Sequence, residues 1–504
     1  MNDHPTSVPP ALVATHSRSS KVIALSVGSS LSLVGTLAFG MVAARCLSTD
    51  DYATIRQTFL AFDSVAPLLM LGIPSALFYF LPRATADSRG VILDNLTLLV
   101  IGALVFSLFL ALGGYRLISR RFDNPELLNT LPWLILYPLF VMPTAGLTAI
   151  LLWKSQAKTL ASFNLILSLT ITAASILAVT TTQSYLAPVL VRVLAPGLFL
   201  PIAIYLMLRG TTGKIRLPKR ATMTAMLKYA VPLGMATMFG KLTLQLHALV
   251  VASLCTPAEF AVYINGATEV PIVGIVTGSI ATVILAEMSD LCSQGKVRQA
   301  LALFHKACIK SACVLFPTTC FLLVTATPFI TVLYSTRYEG SVTPFIIYLF
   351  ILPIRIVVYG SALMALGMTK SILVRSVFDL AINAVLCVAL VRWLGYMGAP
   401  IALVITLYLW TTPFNLKQIG RGFGVSWLGT LPVSTLFRVF LVSILSTPLA
   451  LLGVYGFPLP PIGQLLVAGA LYWPAVVYLL HRGGFIVLPK LRRTPLPLDP
   501  RSSQ

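Results

Sequence analysis

Long apolar runs separated by short polar breaks dominate this chain, and each run has the length of a helix that crosses a bilayer. Such a helix needs about 20 apolar residues. Runs of this kind occupy residues 22–44, 58–81, 91–114, 131–153, 160–182, 186–208, 227–253, 262–287, 311–334, 342–367, 372–393, 397–416, 431–454 and 463–481. Within stretches such as Leu98 to Leu112 the apolar residues are continuous, without the alternation of a barrel strand. The pattern predicts an all-α polytopic membrane protein with about 14 transmembrane helices. A polar tail containing Pro and Ser precedes the first run. That run is longer than the apolar core of a cleaved secretory signal, so it is read as a retained helix.

Composition agrees with the pattern. The 504 residues are 57% hydrophobic and only 10% charged, with a mean hydropathy of +0.90. The charge then orients the chain. With an even number of spans both tails share one side, and that side carries 25 of the 36 Lys and Arg, against 7 on the other side and 4 inside spans. Basic loops stay cytoplasmic, so both termini are expected in the cytoplasm and the protein in the cytoplasmic, or inner, membrane. The net charge of +21 therefore reads as orientation and attraction to anionic membrane lipids rather than nucleic-acid binding.

The chain also repeats itself. Leu47-Ser48-Thr49-Asp50-Asp51-Tyr52-Ala53 follows the first span, and Leu254-Cys255-Thr256-Pro257-Ala258-Glu259-Phe260-Ala261 follows the seventh. With one residue inserted these align as Leu, small, Thr, acidic, aromatic, Ala. Each leads into a span carrying an acid and a proline, Asp63 with Pro67 and Glu269 with Pro271. A six-helix offset makes the repeats parallel. The expected organisation is a disordered cytoplasmic tail (1–20), an N-terminal six-helix bundle (21–208), a basic cytoplasmic linker (209–226), a C-terminal six-helix bundle (227–420), two additional helices (421–482) and a basic cytoplasmic tail (483–504). Gly28, Ser32, Thr36 and Gly40 give the first helix a smooth stripe, which ordinary helix packing explains. Prolines such as Pro74, Pro143, Pro196, Pro232, Pro353 and Pro413 favour kinks.

Charge inside the apolar runs is the candidate chemistry. Arg192, Lys241 and Arg355 lie within spans, as do Asp63, Glu269 and Asp379. In hydrocarbon such groups need water, a partner or a substrate, which argues for an internal polar cavity. Pairing of Lys241 with Asp63 or Glu269 is the structural alternative. Arg45, Arg56 and Arg438 sit near predicted helix ends, where a long side chain reaches water, and Arg45 is placed at the outer exit. The seven cysteines are scattered, without a Cys-x-x-Cys pair, and the lone intramembrane His247 reads as a packing residue, so no metal or other cofactor is assigned. No Gly-x4-Gly-Lys-Ser/Thr phosphate loop occurs, which argues against direct ATP coupling.

Several of these residues resemble a known family. The first repeat, continued by Leu71-Gly72-Ile73-Pro74-Ser75-Ala76-Leu77, is similar to the first outer loop and second helix of the polysaccharide and lipid-linked oligosaccharide flippases. So are Ala365-Leu366-Gly367-Met368-Thr369-Lys370, Asn383, and Leu394-Gly395-Tyr396-Met397-Gly398-Ala399-Pro400-Ile401-Ala402. These flippases, O-antigen flippases among them, belong to the multidrug/oligosaccharidyl-lipid/polysaccharide (MOP) exporter superfamily. Ala53 stands where the family often has Gly, and Tyr334-Ser335 where it often has Phe-Gly.

The resemblance implies two pseudo-symmetric bundles around a V-shaped cavity, with two further C-terminal helices. It also implies movement of an undecaprenyl-pyrophosphate-linked glycan to the outer leaflet, with a polysaccharide polymerase or export complex as a partner. Cavity cations suit a pyrophosphate through charge-assisted hydrogen bonds, so Arg192, Lys241 and Arg355 are the expected substrate ligands, with Arg45 as a weaker one. Asp63, Glu269 and Asp379 are the acids for an exchanged H⁺ or Na⁺. Two other functions compete. A multidrug-type cation antiporter calls for an acidic or aromatic cavity. A membrane glycosyltransferase or polymerase would use Asp50-Asp51, which read more simply as helix-capping residues.

Overall fold

The structure, a computed structural model, describes residues 34–84, 86–268 and 270–486. The N-terminal tail, the first part of the first span with Gly28 and Ser32, Glu269, and residues 487–504 lie outside the described residues. Among the described residues the secondary structure is helical, with no strand. Eleven helices of the described residues are long and apolar enough to cross a membrane, and Val34–Cys46 and Met238–Leu254 are shorter apolar helices. The predicted spans 372–393 and 397–416 fall within one apolar stretch, Thr369–Phe423. Its chain turns at Gly395 (φ 61°), and the arms meet so closely that a Cβ on Gly398 would lie 2.2 Å from the carbonyl carbon of Leu390.

Capping gives the sequence repeat its physical meaning. Ser48 caps Thr49–Asp63, its hydroxyl accepting from the Asp51 amide at 3.1 Å, and Asp50 and Asp51 fill the first turn, where the helix dipole favours negative charge. Thr256 caps Pro257–Gly266 through a reciprocal box with Glu259. The cap is thus Ser48, and the two aspartates support it from inside the helix. Both helices start earlier than the apolar runs predict, because their first turns are polar. The two pack against each other where the halves meet.

Prolines divide the spans unevenly. Pro196 and Pro232 sit inside the uninterrupted helices Leu186–Leu208 and Arg220–Leu254. Pro67, Pro74, Pro353 and Pro413 instead open new segments, at N1 or N2 where the missing N–H costs nothing. The stretch from 49 to 83 consequently breaks into Thr49–Asp63, Ala66–Met70, Ile73–Phe80 and Leu81–Arg83. Leu71 (φ 37°) and Gly72 (φ 76°) turn left-handed at one of these breaks.

One end of the molecule is tied together by its basic residues. The linking helix starts at Arg220 rather than 227, so the expected linker shortens to 209–219. Arg216 is bidentate to the fully buried Asp94, at 3.0 and 2.8 Å, and donates to Asp87 at 3.0 Å. This contact holds the Asp87 carboxyl below the usual carboxylate range. Lys154 donates to the carbonyls of Leu206, Met207 and Arg209, capping the end of Leu186–Leu208. The helices Val433–Leu445, Thr447–Tyr455 and Pro461–Arg482 pack on the second half, where the buried Tyr472 hydroxyl donates to Pro317 O at 3.0 Å.

Candidate substrate cavity

A cavity of about 620 Å³ lies between the halves, with Asp63, Pro67, Tyr137, Lys241 and Gln245 among its walls. Asp63 is the last residue of Thr49–Asp63. The Ser64 hydroxyl bonds back to Leu60 O at 2.7 Å, the helix ends, and the carboxylate is left solvent-exposed in the cavity. A carboxylate at a helix C-terminus is opposed by the dipole, so this one needs nearby cations. Lys241, from mid-helix in Arg220–Leu254, faces the same space.

Arg192 stands behind Asp63 and Tyr137. Its guanidinium carbon lies 4.4 Å from the Phe59 ring centroid and 5.5 Å from that of Phe39, and its electrostatic neighbours include Tyr137, Arg56 and Asp63. Stacking on aromatic faces lets a guanidinium stay charged with its N–H groups uncommitted. Arg56 is a second guanidinium on this side. Its Nε donates to the Tyr52 hydroxyl at 3.1 Å, and that hydroxyl donates to Asn265 Oδ1 at 2.7 Å across the halves. Tyr338 packs edge-on against Tyr52, and Tyr334 shares a 2.9 Å hydrogen bond with Thr268. Lys241 thus shares the cavity wall with Asp63, Arg192 lies close to that acid, and Arg56 is a neighbour of Arg192.

The other expected site residues are placed differently. Arg355 ends the short helix Leu352–Arg355 in the second half, half-buried, and the walls of this cavity do not include it. Of the three expected cations, Lys241 is a wall of this cavity, Arg192 lies near Asp63 without being one of its walls, and Arg355 lies elsewhere. Asp379 accepts from Arg375 and from the Thr411 hydroxyl, each at 2.9 Å, so its charge is met within its own half. Arg45 is exposed and donates to the carbonyls of Met41, Leu333 and Val332, at the end of Ala326–Tyr334. Glu269 lies outside the described residues.

Sequence reasoning set Arg56 aside because the apolar run begins at residue 58. The helix begins at Thr49, which places Arg56 two turns inside it. The N-cap signature at Ser48 is the signal that locates it.

A family model described as "Polysaccharide biosynthesis protein" matches residues 42–343. No curated protein matches the chain by sequence. Among solved structures, the lipid II flippase MurJ in an inward closed conformation is similar at a TM-score of 0.69 with 15% identity, covering 91% of this chain and 99% of that one. An inward-facing multidrug resistance MATE family transporter reaches 0.59 with 15% identity, over 83% and 99%. A MOP superfamily transporter from Pyrococcus furiosus reaches 0.58 with 15% identity, over 84% and 97%. The chain shares the fold of these three transporters.

Proposed function

The chain belongs to the polysaccharide biosynthesis protein family, and on that premise we propose that it moves a polyprenyl-pyrophosphate-linked oligosaccharide across the cytoplasmic membrane by alternating access. The observation that carries this reading is Lys241 on the cavity wall that also bears Asp63, with Arg192 close to that acid and Arg56 next to Arg192. A pyrophosphate is a concentrated anion that hydrocarbon excludes. Guanidinium and ammonium groups in a low-dielectric cavity bind it through charge-assisted hydrogen bonds.

Three bases at or near one acid argue against an organic-cation antiporter, even though the fold is shared with multidrug transporters. With the basic face in the cytoplasm, an inside-negative potential drives an anion outward by about 2.3 kcal/mol per charge per 100 mV. Asp63 is then the acid placed to take an exchanged H⁺ or Na⁺ as the carrier resets. Asp379 is less suited, because Arg375 already meets its charge. The test is reconstitution in proteoliposomes with a labelled polyprenyl-pyrophosphate-linked glycan, under imposed voltage and ion gradients. Translocation that responds to voltage supports the reading, and translocation of an organic cation in place of the lipid overturns it.

A further inference from the structure

Toward the basic end of the cavity the two halves meet backbone to backbone. A Cβ on Gly234 would fall 2.4 Å from the carbonyl carbon and oxygen of Leu71 and 2.6 Å from Gly72 N. One on Gly72 would fall 2.8 Å from Ala230 O and from the Gly234 Cα. Both glycines line the cavity. One to two turns nearer the basic end, the Tyr79 and Tyr229 rings stack with centroids 4.4 Å apart and planes at 24°, and Phe80 meets Tyr229 edge-on. Arg83 lies over the Tyr79 ring at 3.7 Å.

We propose that the Gly72–Gly234 crossing is the seam along which the halves close and part at the basic face, with the Tyr79–Tyr229 stack as its clasp. Ordinary close packing of two helices is the competing reading, since small residues at crossings are common in membranes. Two features set this crossing apart. It falls where Leu71 and Gly72 are left-handed and the helical ladder is interrupted, so Ile73–Phe80 can swing against Thr49–Asp63 at the expense of few backbone hydrogen bonds. It also forms the cavity wall itself, so its separation would open that space. Two faces without Cβ atoms part without reorganising rotamers, and their dispersion attraction vanishes within a short separation. At the opposite end the halves are held by hydrogen-bonded side chains such as Tyr52 to Asn265 and Arg337 to Leu47 O.

This inference rests on the transport reading, yet its test needs no cargo. Ser75 is exposed and lines the cavity. Ser75→Cys, in the full chain with the seven native cysteines replaced, is labelled by a membrane-impermeant maleimide in vesicles of either orientation. Adding Gly234→Ala overpacks the closed seam, so the labelling rate from the basic face should rise about tenfold while that from the opposite face does not. Tyr229→Ala, whose ring is already partly exposed, removes the clasp without crowding the backbone and should raise the same rate, which covers a Gly234→Ala variant that fails to accumulate. Unchanged rates overturn the proposal, and so does an equal rise from both faces, the mark of general loosening. A negative transport assay with a positive labelling result would fault the cargo and leave the seam standing.

Discussion

At the scale of single residues, the account turns on Arg192. Its guanidinium is held by the Phe59 and Phe39 faces near Asp63, an arrangement that a compact ammonium does not reproduce. Arg192→Ala should lower translocation in proteoliposomes about 10- to 100-fold at unchanged protein abundance, with Arg192→Lys recovering only part of it. Arg355→Ala should cost less than Arg192→Ala, because Arg192 is the cation whose field reaches the cavity acid Asp63; parallel measurement of the two variants checks the order. Spotting an intramembrane charge needs only hydropathy, which is why Arg192 and Lys241 were readable from the sequence. Partners were not readable. Arg375 falls at the edge of an apolar run yet lies inside Thr369–Leu394 and pairs with Asp379. Arg45 and its carbonyl acceptors Leu333 and Val332 lie almost three hundred positions apart.

At the scale of elements, the repeated Leu-small-Thr-acidic-aromatic-Ala motif proved to be two helix starts, capped by Ser48 and Thr256. Thr256→Ala removes the side-chain half of its capping box and should cost about 0.5–2 kcal/mol, read as a lowered midpoint in thermal unfolding of detergent-purified protein. The linker clamp is stronger, since Arg216→Ala strands a fully buried Asp94 carboxylate. That loss should cost about 3–5 kcal/mol and open the linker to trypsin at Lys214 and Lys219. Its pH dependence has a defined sign. The Asp87 carboxyl is held below its usual range by Arg216, so its contribution is present above the unfolded-state value and is lost as pH falls through the depressed folded value. Trypsin-independent probes of the linker, such as hydrogen exchange, should show loosening only in strongly acidic buffer. Helix interruptions were the least readable elements. Leu71-Gly72-Ile73-Pro74 is as apolar as its surroundings, and hydropathy alone does not separate a proline that opens a segment, such as Pro74, from one carried inside a helix, such as Pro232.

At the scale of the whole molecule, the all-helical architecture and the sidedness of charge both follow from composition and pattern. The residues near 83–94 and 206–220 form one end, and those near 45–52, 121–130 and 253–260 the other. The tight hairpin at Gly395 and Gly398 carries almost no polar break, yet it falls at the boundary between the runs 372–393 and 397–416. Arg220–Leu254 carries both the seam glycine and the cavity lysine, so the proposed cargo contact at Lys241 and the proposed closure at Gly234 would act through one helix. The central claim is that this cavity binds a lipid diphosphate and carries it across. The most direct measurement is translocation of a polyprenyl-pyrophosphate-linked glycan in proteoliposomes by wild type and by the Arg192→Ala/Lys241→Gln double variant under the same imposed potential. The account predicts voltage-driven translocation by the wild type and its loss in the double variant. Equal translocation by both proteins would contradict it.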